Sequence, residues 1–67
     1  MTRGGLSKVL RTLREGKGLT QTDLAKRAKV GRTYLVKLES GDKTNPSLAV
    51  LTRIAKALNV PVTELLQ

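Results

Sequence analysis

The side chains able to do chemistry in this chain are thirteen Lys and Arg and five Asp and Glu; Cys and His are both absent. Without them, disulfides, thiolate or imidazole metal sites, cysteine nucleophiles and Ser-His-Asp triads are excluded. The acids Glu15, Asp23, Glu39, Asp42 and Glu64 fall singly along the sequence, so a carboxylate pair for acid–base work would have to be assembled by folding. The expectation is therefore a protein that is not an enzyme and that uses no metal, cofactor or small-molecule ligand. What remains is recognition of anions. A formal charge of +8 on 67 residues is an argument about partners rather than fold, and it points to DNA, RNA or an anionic membrane surface. The surplus is uneven. Residues 1–46 carry eleven bases against four acids (+7), whereas residues 47–67 carry Arg53 and Lys56 against Glu64 (+1). An anionic partner is expected to meet the N-terminal two-thirds.

The elements that position these charges must be few. Apolar residues make up 39% of the chain, enough for one small core, and a domain of this size buries only about 60% of the surface its unfolded chain exposes. A single domain over residues 1–67 is expected, with self-association as added support. No apolar run approaches the roughly 18 residues of a membrane span, and Met1-Thr2-Arg3-Gly4-Gly5 lacks a signal-peptide core, so a soluble, cytoplasmic chain is expected.

Helical periodicity dominates. Leu6, Val9, Leu10 and Leu13 recur at spacings of three and four, and the run ends at Gly16-Lys17-Gly18, predicting a helix over about 6–16. Thr20 is placed as an N-cap with Asp23 three residues on, and Leu24, Ala25 and Ala28 form the apolar stripe of a helix over 21–28. Lys29-Val30-Gly31 leads into a third helix over 32–40, with Leu35 and Leu38 inward and Ser40-Gly41 as the stop. Two short helices joined by about three residues must cross sharply, which is helix-turn-helix geometry. After the turn formers Asp42 to Pro46, Ser47 caps a fourth helix over 48–58 carrying Leu48, Leu51, Ile54, Ala55 and Leu58, and Asn59 is a plausible positive-φ stop. A last short apolar helix is expected over 62–66. Nothing alternates at period two for long enough to suggest a strand.

With these elements placed, the chain resembles the phage repressor and Cro type of DNA-binding domain (the XRE family), a helix-turn-helix family of bacterial and phage regulators. The matching residues are Leu10-Arg11-x-Leu13-Arg14, Gly18-Leu19-Thr20-Gln21-x-x-Leu24-Ala25, Val30-x-Arg32-x-Tyr34-Leu35-x-x-Leu38-Glu39-x-Gly41, Asn45-Pro46-Ser47-Leu48 and Ile54-Ala55-x-Ala57-Leu58-x-Val60. The resemblance implies an all-α, compact five-helix bundle of the lambda-repressor-like type, a phage regulator or restriction-modification controller, acting as a sequence-specific repressor or autoregulator on a double-stranded DNA operator. It also implies that the second helix of the motif enters the major groove. If Leu35 and Leu38 face the core, then Arg32, Thr33, Val36 and Lys37 lie on the opposite arc with Tyr34 to one side. Arg and Lys can read the O6 and N7 acceptors of guanine, and the Thr33 and Val36 methyls can meet a thymine methyl. Base contacts are expected from Arg32, Thr33 and Lys37, with Val36 and Tyr34 secondary. Phosphate contacts are expected from Thr20, Gln21 and Thr22 at one helix N-terminus, from Gly31, from Lys43, Thr44, Asn45 and Ser47, and from Arg11.

Arg14 and Glu39 are implied by the resemblance to form an internal ion pair, a structural role. The chain departs from the family pattern at three places: Lys29 stands where relatives commonly place a glycine, which requires a positive φ of a non-glycine residue; Gly31 replaces the usual hydroxyl N-cap; and the stretch from Glu39 to Pro46 is one residue longer. A homodimer is expected, with recognition helices about 34 Å apart, and Leu48, Val60, Val62, Leu65 and Leu66 are the apolar candidates for its interface. The alternative is an antitoxin or coactivator type of protein-interaction module in which DNA binding is subordinate. RNA or membrane binding is disfavoured, because Tyr34 is the sole aromatic residue and stacking or interfacial anchoring calls for more.

Overall fold

A computed structural model of the chain describes residues 5–42 and 45–66. The described residues form four α-helices and a single 3-10 turn: α1 Gly5–Gly16, α2 Gln21–Ala28, α3 Arg32–Ser40, α4 Leu48–Leu58 and the turn Val62–Leu65. The architecture is all-helical, with α1 packed on α3, α2 on α3 and α4, and the 3-10 turn closing against α4 and α1. Leu10, Leu24, Leu35, Leu38, Ile54 and Leu58 are fully buried where these elements meet, with Leu51 and the small residues Ala25, Ala28 and Ala55 allowing close approach of the helices.

Three chain reversals use one device. The Leu19, Val30 and Val60 amides donate back to the carbonyls of Arg14, Ala25 and Ala55 at 3.1, 3.0 and 3.0 Å, and the residue before each, Gly18, Lys29 or Asn59, has a φ of +71°, +58° or +61°. This is the helix-ending Schellman pattern, in which a left-handed residue satisfies the last carbonyls and the following apolar side chain returns to the core. Gly18 and Asn59 adopt that conformation readily; Lys29 does so against its Cβ. Replacing Lys29 with Gly is therefore expected to stabilise the fold by about 0.5–1 kcal/mol, the left-handed cost less the extra unfolded-chain entropy of glycine. Thermal melting followed by circular dichroism should rise by about 4 °C, and a variant melting below the parent would contradict this account of the turn.

The fifth helix expected over 62–66 does not form. Its place is taken by the one 3-10 turn, with Glu64 and Leu66 amides donating to Pro61 and Thr63 carbonyls at 3.0 and 3.2 Å. Four residues are too few to offset helix nucleation, and the tighter i→i+3 pattern serves short segments. The turn swings Leu65 inward to 4% exposure, so Leu65, expected at a dimer interface, belongs to the chain's own core.

Candidate nucleic-acid interface

The motif formed by α2 and α3 is anchored by one buried carboxylate. Glu39, 3% exposed, accepts from Arg14 Nε at 2.7 Å and from Arg14 Nη2 at 3.0 Å, a bidentate pair. Arg14 Nη1 also donates to the Leu19 carbonyl at 2.7 Å, and Gln21 Nε2 donates to Glu39 Oε1 at 3.1 Å. The end of α1, the entry to α2 and the end of α3 are thus tied at one point, which fixes the angle between the two helices of the motif. The hydrogen bond and charge of Glu39 raise the Arg14 pKa above its ordinary value against the opposing effect of burial, so the guanidinium keeps its charge although its side chain is largely buried.

At the start of α2, Thr20 Oγ1 accepts from the Asp23 amide and Asp23 Oδ2 accepts from the Thr20 amide, both at 3.0 Å, a complete capping box. The backbone and side-chain hydrogen bonds from Thr20 hold the Asp23 carboxyl below its ordinary pKa. Its contribution to the cap is complete above the unfolded value and is lost as pH falls through the lower folded one. Gly31, at the start of α3, offers no side-chain cap, so the first amides of that helix are left for an outside acceptor.

The outward face of α3 carries Arg32, Thr33 and Lys37, all exposed, with half-buried Val36 at one edge and half-buried Tyr34 at the other. On the Val36 side, α3 borders a groove lined by Arg11, Arg14, Gln21, Val36, Glu39 and Ser40. Arg11 leans toward α3, its Nη2 at 3.4 Å from the Glu39 carbonyl. Of the expected phosphate contacts, Thr20, Thr22, Gly31, Asn45 and Ser47 are exposed. The Ser47 hydroxyl accepts from the Val50 amide at 3.2 Å as the cap of α4, and the Gln21 amide nitrogen is engaged with Glu39, which leaves its carbonyl side for a partner. Lys43 and Thr44 lie outside the described residues. Among the apolar dimer candidates, Leu48 and Leu66 are 61% and 52% exposed, while Val60 and Val62 are half-buried against the core to which Leu65 belongs. Among the described residues no three His, Cys, Asp or Glu come together, and no helix is long and apolar enough to cross a membrane.

The structure also gathers cations that lie outside the expected DNA contacts. Arg27 and Lys29 from the end of α2 meet Arg53 and Lys56 from α4 along one trough, floored by Ala28 and Ala57 and continuing to Val30, Gly31, Tyr34 and Val50. The i, i+3 spacing of Arg53 and Lys56 was a visible signal of a shared face; that this face adjoins α2 was not.

A family model described as "Helix-turn-helix" matches residues 10–65. The chain belongs to that helix-turn-helix family. It is 37% identical over 60 residues to the HTH-type transcriptional regulator SlrR of Bacillus subtilis, an overlap of 90% of this chain and 40% of that protein. The restriction-modification controller protein C.AhdI from Aeromonas hydrophila has a similar structure, with a TM-score of 0.89 at 35% identity over 94% of both chains. So does SinR, a master regulator for biofilm formation solved in complex with DNA, with a TM-score of 0.90 at 32% identity over 92% of this chain and 98% of that one. Among the curated relatives it matches, the chain covers from 28% to 79% of their length, and 40% of SlrR.

Proposed function

We propose that this chain is the DNA-binding unit of a transcription regulator that reads a double-stranded operator through the major groove with α3, acts as a repressor or autoregulator, and catalyses no reaction. The observation that carries this is the exposed row Arg32, Thr33 and Lys37 on the outer face of α3, held at a set angle by the buried Arg14–Glu39 pair. Arg32 and Lys37 contact base edges as donors, Thr33 and Val36 supply methyl contacts, and Tyr34 lies at the margin. The amides and side chains of Thr20, Gln21, Thr22 and Gly31, together with Lys43, Thr44, Asn45, Ser47 and Arg11, hold the phosphates. A homodimer in the cytoplasm completes the reading, with exposed Leu48 and Leu66 as its apolar contacts and half-buried Val60 and Val62 at their margin. Repression by this route is steric: a domain bound at an operator that overlaps a promoter excludes other proteins from the same groove.

Selection of bound sequences from a random duplex pool tests it. The enriched duplex should bind about 10³-fold or more tightly than random DNA, with log K falling steeply against log salt, and the half-site should recur as an inverted or direct repeat. Equal affinity for enriched and random duplexes at every salt concentration would sink the proposal.

A further inference from the structure

The trough between α2 and α4 calls for a partner of its own. Arg27, Lys29, Arg53 and Lys56 are all exposed, and no carboxylate lines either groove along it. Ion pairs among the described residues are confined to Arg14 with Glu15 and Glu39; of the four cations only Arg27 has a carboxylate acting on it, Asp23 on its own helix, so most of the trough's charge is left for a partner. The floor offers little to an apolar side chain: Ala28 is 2% exposed, and Val30, Tyr34, Val50 and Ala57 are half-buried against the core. Charge is what the trough presents, and a protein segment seeking apolar anchors would find few. Its position matters as much. One end is lined by Gly31 and Tyr34 at the first turn of α3, and the other lies at the C-terminal ends of α2 and α4, beside Arg27 and Lys56. The trough thus begins where α3 meets its target and runs back along the flank of the domain. Tyr34 lies about 160° around α3 from Val36, so this flank is opposite the groove lined by Arg11 and Gln21.

We propose that this trough is a second phosphate track, which holds the backbone of DNA lying outside the segment read by α3 and draws the flanking duplex toward the side of the domain. The inference rests on the proposed function. Arg53 and Lys29, at the junction of the two grooves, take the first flanking phosphates, and Lys56 and Arg27 take those farther out. Such contacts carry no base information and add affinity through counterion release. Drawing the flank inward bends the duplex, so flanking steps that bend easily bind better without being touched.

The test compares the enriched site as a minimal duplex and as one extended by about 10 base pairs, one helical turn, at each end, using wild type and the Arg53→Ala/Lys56→Ala variant. Both residues are exposed and helical, and alanine preserves the helix. On the extended duplex, wild type should bind more tightly than on the minimal one, with a steeper salt dependence. The variant should lose that gain, its slope of log K against log salt falling by about 2, at roughly 0.9 per phosphate, while its affinity and base preferences on the minimal duplex stay those of wild type. Equal affinities of wild type for the two lengths, or an equal loss on both, would overturn the track. So would a variant that keeps full DNA binding but loses binding of poly-glutamate measured by NMR titration, since the trough would then belong to an acidic protein segment. Failure to enrich any sequence defeats the reading by α3 instead, and is scored separately from these flank effects.

Discussion

Glu39→Ala should leave the domain unfolded or close to it. The substitution removes the acceptor of two Arg14 hydrogen bonds and one from Gln21 and strands a guanidinium whose side chain is 11% exposed. Breaking one side of such a pair costs about 3–5 kcal/mol, against a total stability of about 3–10 kcal/mol for a domain this size, at roughly 0.05–0.15 kcal/mol per residue. Circular dichroism and urea titration should show the loss directly. A substitution that removes both charges together, Arg14→Met with Glu39→Leu, should recover part of it, because neither ion is then left buried alone. A Glu39→Ala protein within about 0.5 kcal/mol of wild type, the range of ordinary surface changes, would show that the pair is not what holds the motif. The consequence for function is practical: failure of this variant to bind DNA reports on folding and says nothing about contact.

The second large effect separates readers from scaffold. Arg32→Ala with Lys37→Ala should fold as wild type, since both side chains are exposed on the outer face of α3. Its discrimination between the enriched duplex and random DNA should nonetheless fall by about 1–3 kcal/mol for each residue. Combined, this approaches the whole difference of about 4 kcal/mol at the lower end of specific binding. Repeating the selection with each single variant should relax preference at one or two base positions. If Arg32→Ala weakened enriched and random DNA alike and only lowered the salt slope, Arg32 would be a phosphate anchor and the reading of α3 would have to shift to Thr33 and Lys37.

Much of the architecture was legible locally because its signals act over three or four residues. The Thr20–Asp23 capping box, the stops at Gly18 and Asn59, and the stripe of Leu24, Ala25 and Ala28 each depend on neighbours along one helix. The end of α1, the extent of α2 and the end of α4 follow from them. The Arg14–Glu39 pair was implied by family resemblance, since residues twenty-five apart announce no contact by spacing. Leu65 shows where local reading stops. Its apolar type suited a core and an interface equally, and a closing 3-10 turn against α1 and α4 placed it inside.

The sequence by itself determined a small helical domain with a tight helix-turn-helix, a basic balance of charge and no metal or nucleophile chemistry from Cys or His. Composition and short-range periodicity suffice for those conclusions. Tertiary packing alone decided how the charge is distributed. In the sequence, Arg53 and Lys56 belong to a C-terminal third of net charge +1. In the fold, α4 lies against α2 and sets them beside Arg27 and Lys29, because burying Leu51, Ile54, Ala55 and Leu58 against the core turns the polar face of α4 toward that edge. Surface potential depends on distance in space, which the order of residues along the chain does not contain.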